Sequence, residues 1–254
     1  MFRIALFIEA KKLFSSRIPL FTLLASLLVP FLGAFFMLVL GDPLIAERLG
    51  IVSLKAELMG IVDLSTYLNF LAQAIAIGGL IIFGFVFTWI FGREYVEQTI
   101  DDLLALPVSR SVIVLAKFTI AFLWCFCLAL AVLIIGIFLG KLLALPGGDI
   151  IKKIGLDFLL VASFTILLST PLAFLACWGK GYLLPLGFMI FTLVLAQVIT
   201  AIGYGAYFPW SVGAVFTGLA GEAALPHFSF FSVLFTGLLA LGGTIFWWRT
   251  VDHG

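Results

Sequence analysis

The sequence predicts an all-α polytopic membrane protein: six transmembrane helices, an amphipathic helix ahead of the first, a short cytoplasmic helix between the second and third, and a re-entrant element before the last. Three observations predict it. Of 254 residues, 64% are hydrophobic and 11% charged, with a mean hydropathy of +1.29, against about 45–50% apolar and roughly 25% charged in soluble domains. Six apolar runs each reach the roughly 20 residues that a bilayer core about 30 Å thick demands of a helix. The runs are continuous, without period-two alternation, which selects helices over a closed barrel, the other structure that satisfies its backbone in lipid. The same balance excludes a soluble enzyme, a disordered chain and a nucleic-acid binder. A net charge of +1, with basic residues scattered along the chain, offers no surface that neutralises several phosphates.

Residues 1–17 form the first element, an amphipathic helix along the inner membrane surface. On a helical wheel Phe2, Leu6, Ala10, Leu13 and Phe14 fall on one side, and Glu9, Lys11, Lys12, Ser15 and Ser16 on the other, with Ile4 and Ile8 interrupting the pattern. A basic flank that merely fixes topology is the simpler alternative. Span one follows at 18–40, closed by Gly41-Asp42-Pro43. Its 23 residues exceed the roughly 7–15 of a signal-peptide core, and no small-residue cleavage site follows, so it is expected to remain in the mature protein.

Residues 44–62 place Ile45, Leu49, Val52, Ala56 and Met59 at helical spacing, with Arg48, Lys55 and Glu57 among the polar positions: an outer-surface amphipathic segment, more a structural lid than a binding site. Asp63 or Ser65 then caps span two, at about 67–91. Spans three to six occupy about 111–140, 156–178, 183–204 and 228–248, so the chain reads as a single transmembrane domain, 1–254. In span four, Ser163, Thr165, Ser169 and Thr170 precede or abut Pro171 and suit a kink. Gly136 and Gly140 make a small-residue pair for close helix packing in span three. Segment 205–227 holds an apolar stretch too short to cross, read as re-entrant or interfacial.

Counting Lys and Arg sets the orientation. With the N-terminus inside, Arg3, Lys11, Lys12, Arg17, Arg93, Arg110, Lys117, Lys180 and Arg249 lie inside, against Arg48, Lys55, Lys141, Lys152 and Lys153 outside. Both termini are therefore predicted cytoplasmic. Trp89, Trp178, Trp210, Trp247 and Trp248 fall at span ends, as an aromatic belt places them, and only Trp124 sits deeper. Lys117 is close enough to the inner end to snorkel, and Asp157 opens span four. Cys125, Cys127 and Cys177 read as packing residues without a disulfide framework.

The inner segment 92–110 carries the sharpest pattern. Residues 94–106 suit a short helix with Glu94, Glu97 and Asp101 on one face and Val96, Ile100 and Leu103 on another; Pro107 ends it, and Ser109 or Ser111 caps the next helix. An acidic stripe beside an apolar one is a docking surface or a solvated topogenic loop, and the pattern by itself leaves both open.

The run Phe91-Gly92-Arg93-Glu94-Tyr95, then Thr99, then Leu103-Leu104-Ala105-Leu106-Pro107-Val108-Ser109-Arg110, then Ala116-Lys117, resembles the membrane subunits of type V ATP-binding-cassette exporters. Within them it is most similar to bacitracin and lantibiotic export or immunity permeases. The resemblance spans nearly the whole chain, and the outer segment matches the narrower bacitracin-type group. It implies that 1–17 is a connecting helix and 92–110 a coupling segment seated in a groove of a cytoplasmic ABC ATPase. Arg93, Glu94, Glu97, Thr99, Asp101, Asp102, Pro107, Ser109 and Arg110 are then the coupling residues. It further implies a bacterial cytoplasmic membrane, a homodimer with spans two and five lining a central cavity, and export of an amphipathic substrate such as a peptide antibiotic, other drug or lipid.

Absences sharpen the alternatives. No Walker A sequence occurs, so the chain cannot bind ATP by that route; if it works in an ATP-driven exporter, ATP and Mg belong to a separate ATPase, and no cofactor is expected in this chain. Ion-coupled transport would place ionisable groups at membrane depth, and an intramembrane metalloenzyme would pair His227 or His253 with ligands at metal-binding spacing; neither pattern is present. A non-transporting scaffold or immunity protein stays as the second reading. Asn69, Gln73, Gln197 and Thr200, near the outer ends of spans two and five, are the substrate-path candidates, with interhelical bonding as the competing role.

Overall fold

The structure, a computed structural model, describes residues 1–41, 62–105, 107–148, 151–219 and 225–250. The outer amphipathic segment predicted at 44–62 lies, except for Val62, outside the described residues. The described elements are α1 (Phe2–Phe14), α2 (Ile18–Gly41), α3 (Leu64–Val96), α4 (Ile100–Leu104), α5 (Arg110–Leu142), α6 (Ile151–Leu167), α7 (Thr170–Trp178), α8 (Leu183–Ala201), α9 (Pro209–Phe216) and α10 (His227–Thr250). All are helical, and six continuous or kinked rods are long and apolar enough to cross a membrane: α2, α3, α5, α6 with α7, α8 and α10. The order predicted from the apolar runs is the order observed. The limits differ most in span two, which runs five residues past its expected inner end at 91, to Val96.

Span two is the hub. α3 touches α2, α5, α6, α7, α8 and α9, and 61% of its most apolar window is buried, against 33% for span one and 22% for span five. Its N-terminal end is fixed by Asp63 at the N-cap, whose carboxylate accepts the Thr66 N–H at 2.7 Å and the Ser65 hydroxyl at 2.8 Å. Burial pushes that carboxyl's pKa up, but these hydrogen bonds outweigh it and hold the group below its ordinary range. Glycines then let span three close on span two. A Cβ on Gly136 would collide with Leu71, and one on Gly140 with Leu64 and, at 3.3 Å, Tyr67. Tyr67 donates its hydroxyl to the Pro30 carbonyl of span one at 2.8 Å. Deeper in, Phe87, Phe91, Phe118 and Phe122 interlock α3 with α5.

The kink expected at Pro171 is present, and its backbone accounting closes. Pro171 has no N–H for the Leu167 carbonyl, and Leu172 N–H bonds Ser169 instead of Leu168. The Thr170 hydroxyl takes up Leu167 at 2.8 Å and also reaches Gly237 on span six at 3.0 Å. Leu168 receives the indole N–H of Trp210 at 3.3 Å. Trp210 belongs to α9, the short helix in the segment read as re-entrant, whose residues Ser211 to Val215 are buried. Ser211 and Ser229 hydroxyls hold the turn before it, at the Gly205 and Ala206 carbonyls.

Candidate functional site

At the C-terminal end of span two the helix continues past the apolar run, so Glu94 shares the face of Phe87 and Ile90 and points into the protein. Lys117 on α5 sits on the face of Val114 and Ala121, and Glu9 on α1 on that of Ala5 and Leu13; all of these are buried. The three faces converge on one closed ring of charge. Lys117 Nζ lies 2.6 Å from Glu94 Oε1 and 3.1 Å from Glu9 Oε2, and gives its third hydrogen bond to the Ile90 carbonyl at 3.0 Å. Lys12 Nζ closes the ring, 3.1 Å from Glu9 Oε1 and 3.0 Å from Glu94 Oε1. Two cations and two anions alternate, so the ring is neutral. Lys117 is 0% exposed and Glu94 3%, against 30% for Lys12 at the edge.

Three expectations are corrected by this ring. Lys117 does not snorkel to the membrane surface; carboxylates come to it in the interior. Glu9 and Lys12 do not form the outward polar face of α1. That helix buries Ala5, Glu9 and Leu13 and exposes Ile4, Phe7 and Phe14. Packing against α5 and the attraction of Lys117 outweigh the simple two-sided wheel. Glu94 does not share a surface stripe with Glu97 and Asp101.

The predicted helix over 94–106 is instead two pieces. α3 ends at Val96, Glu97 is its C-cap, and Gln98 takes a left-handed backbone with φ 55°. Thr99 N–H then returns to the Glu94 carbonyl at 2.9 Å, a Schellman closure with Gln where Gly is usual. α4 follows, with Ile100 and Leu103 buried in the core and Val96, expected beside them, left exposed. Glu97, Asp101, Asp102, Pro107 and Ser109 are exposed on this segment, while Thr99, Arg93 and Arg110 are half-buried.

Arg93 is held on three sides. Its Nε is 2.9 Å from each Glu97 carboxylate oxygen, Nη1 donates to the Lys12 carbonyl at 3.4 Å, and the guanidinium carbon stands 5.1 Å over the Trp89 ring. Ser109 occupies the N-cap position of α5, and Arg110 Nη1 donates to the Trp248 carbonyl at 3.3 Å. Trp248 itself is fully buried and donates its indole N–H toward Cys177 Sγ at 3.1 Å. That removes it from the expected aromatic belt.

The substrate-path candidates are not gathered into one cluster. Gln73 donates to the Thr217 carbonyl at 3.2 Å, at the C-cap of α9, which is an interhelical tie. Asn69 and Gln197 are exposed, and Thr200 is half-buried against Gly205. What the sequence reading missed is the company of Glu94: Glu9, Lys12 and Lys117. The available signal was a lone lysine inside an apolar run together with a carboxylate on a helix otherwise basic.

A family model described as "ABC-2 family transporter protein" matches residues 5–197, which takes in most of α1, the ring and the segment after it. The bacitracin transport permease protein BCRB of Bacillus licheniformis is 27% identical over 179 residues, covering 68% of this chain and 85% of that protein.

Proposed function

Since the chain belongs to the ABC-2 family of transporter proteins and is the membrane permease subunit of an ABC exporter, we propose that segment 97–110 is the surface on which a cytoplasmic ABC ATPase seats. The observation that carries this reading is the junction itself. An exposed acidic segment is attached, through one helix end, to a buried ring that joins α1, span two and span three. A load on α4 reaches Glu94 within two turns, and through Glu94 it reaches Lys117 and Glu9 together. Packed interiors transmit strain of this kind rather than absorbing it.

Roles divide by exposure. Glu97, Asp101, Asp102, Pro107 and Ser109 face outward and contact the ATPase. Glu94 acts as a positioning residue, with Arg93, Thr99 and Arg110 fixing the segment's path. ATP and Mg bind in the partner. Two copies of the permease flank a central path, with both termini on the ATPase side. The substrate is amphipathic, in the class of a peptide antibiotic, other drug or lipid, consistent with the bacitracin transport named for the relative.

Charge reversal tests it. Asp101→Lys with Asp102→Lys is expected to cut recovery of the ATPase in co-purification at least about tenfold, the equivalent of about 1.4 kcal/mol, with membrane insertion unchanged. Recovery at the wild-type level overturns the docking role of this segment.

A further inference from the structure

We propose that the hollow at the elbow between α1 and α2 binds the phosphate of an anionic phospholipid headgroup. A cavity of about 320 Å³ opens there, lined by Ile8, Lys11, Lys12, Ser15, Ser16 and Arg93. Three of its six lining residues are cationic and none is acidic. The nearest carboxylates are already committed, Glu9 and Glu94 to the ring and Glu97 to Arg93. Lys12 and Arg93 are held in place by those same pairs, so their positions are set before a ligand arrives, and the Arg93 guanidinium keeps donors beyond those it uses internally. Lys11 is exposed and has no ion pair among the described residues.

The face of α1 that carries the hollow also carries the rest of an amphiphile's requirements. Ile4, Ile8, Lys11 and Ser15 fall along one helical face, and Phe7 adjoins it, with Phe7 68% and Ile4 57% exposed. Along this stripe the exposed surface therefore passes from apolar in the first half of the helix to cationic in the second, with Arg3 and Phe14 exposed on its flank. A free anion has no use for the apolar half, and a soluble protein partner would leave large aromatic area facing polar groups. A lipid with a charged head and hydrocarbon tails satisfies both halves. The elbow also sits where an interfacial helix turns into span one, which is headgroup depth. This goes beyond the transport reading and rests only on α1 lying at the membrane boundary.

The test extracts the protein from vesicles containing equal amounts of phosphatidylcholine and phosphatidylglycerol, and counts retained lipids by native mass spectrometry. Phosphatidylglycerol is expected to be retained over phosphatidylcholine. Lys11→Gln should lower that retention about fivefold, the factor expected for one basic side chain at an anionic surface. Lys153→Gln, at an exposed lysine on α6, should leave it unchanged. Equal retention of the two lipids overturns the proposal, as does unchanged retention in Lys11→Gln. Displacement by inorganic phosphate makes the hollow a free-anion site, and loss of ATPase capture in Lys11→Gln with lipid retention intact makes it a protein-docking surface; either result also overturns it.

Discussion

Lys117 shows how much a single buried charge constrains its surroundings. Removing one partner from a buried ion pair typically costs about 3–5 kcal/mol, because the other charge is left without compensation. Lys117→Met leaves Glu94 and Glu9 to share Lys12 alone, with one buried negative charge uncompensated, so we expect a loss of that order, seen as a large fall in thermal midpoint in detergent. Replacing Glu94 and Lys117 together by Met leaves the neutral Glu9–Lys12 pair, with Lys12 at the half-exposed edge. The double variant should therefore lose clearly less than the sum of the singles. Additive losses would mean that the two residues do not act through one another. Glu94→Gln consequently carries a stability cost beside any coupling defect, and its interpretation needs the folded fraction measured alongside ATPase stimulation.

Elements were legible wherever a local pattern reports them. Six apolar runs, Pro171 with its hydroxyl neighbours, Asp63 as a cap and the Gly136–Gly140 pair all describe physics within one or two turns of chain. Gln98 was not legible, since a left-handed cap usually announces itself by Gly or Asn, and here Gln takes it in the turn closed by the Thr99 N–H on the Glu94 carbonyl. The charge ring was not legible either: Glu9 and Lys117 are 108 residues apart, and no spacing rule links them. The broken span four offers the element-scale prediction. Trp210→Phe removes the donor to Leu168, and Thr170→Val the donor to Leu167. Each leaves a buried carbonyl unpaired, expected to cost about 1–3 kcal/mol, read as a lower thermal midpoint of the purified permease. Trp210→Phe should also loosen α9, raising proteolytic cleavage around residues 205–217. Unchanged stability in both variants would mean that the kink satisfies its carbonyls by another route.

At the scale of the whole molecule, the proposed second copy needs a face of its own, distinct from the one that meets lipid. Span two is the most buried rod, so it can reach a dimer axis only through its exposed stripe. Apart from Val96 at its C-terminus, its large exposed hydrophobics are Ile81 and Phe85. They floor a groove of about 260 Å³ between span one and span five, walled by Phe21, Thr22, Ala25, Ile82, Leu186 and Met189. On the proposed reading, a path shared by two copies and lined by spans two and five runs along this groove, where Ile81 and Phe85 of span two are exposed. The arrangement suits an amphipathic substrate, whose apolar part meets aliphatic and aromatic walls. Cysteine cross-linking decides the matter, and the chain's own cysteines permit it: Cys125 and Cys177 are buried, so Cys127→Ser alone gives a silent background. In that background Phe85→Cys should yield a covalent dimer of about twice 27.7 kDa in membranes treated with a short thiol cross-linker. Phe246→Cys, on the 68% exposed surface of span six, should stay monomeric. The reverse pattern would put span six at the dimer axis and leave the groove between spans one and five to lipid, and the transport path would then have to be drawn elsewhere.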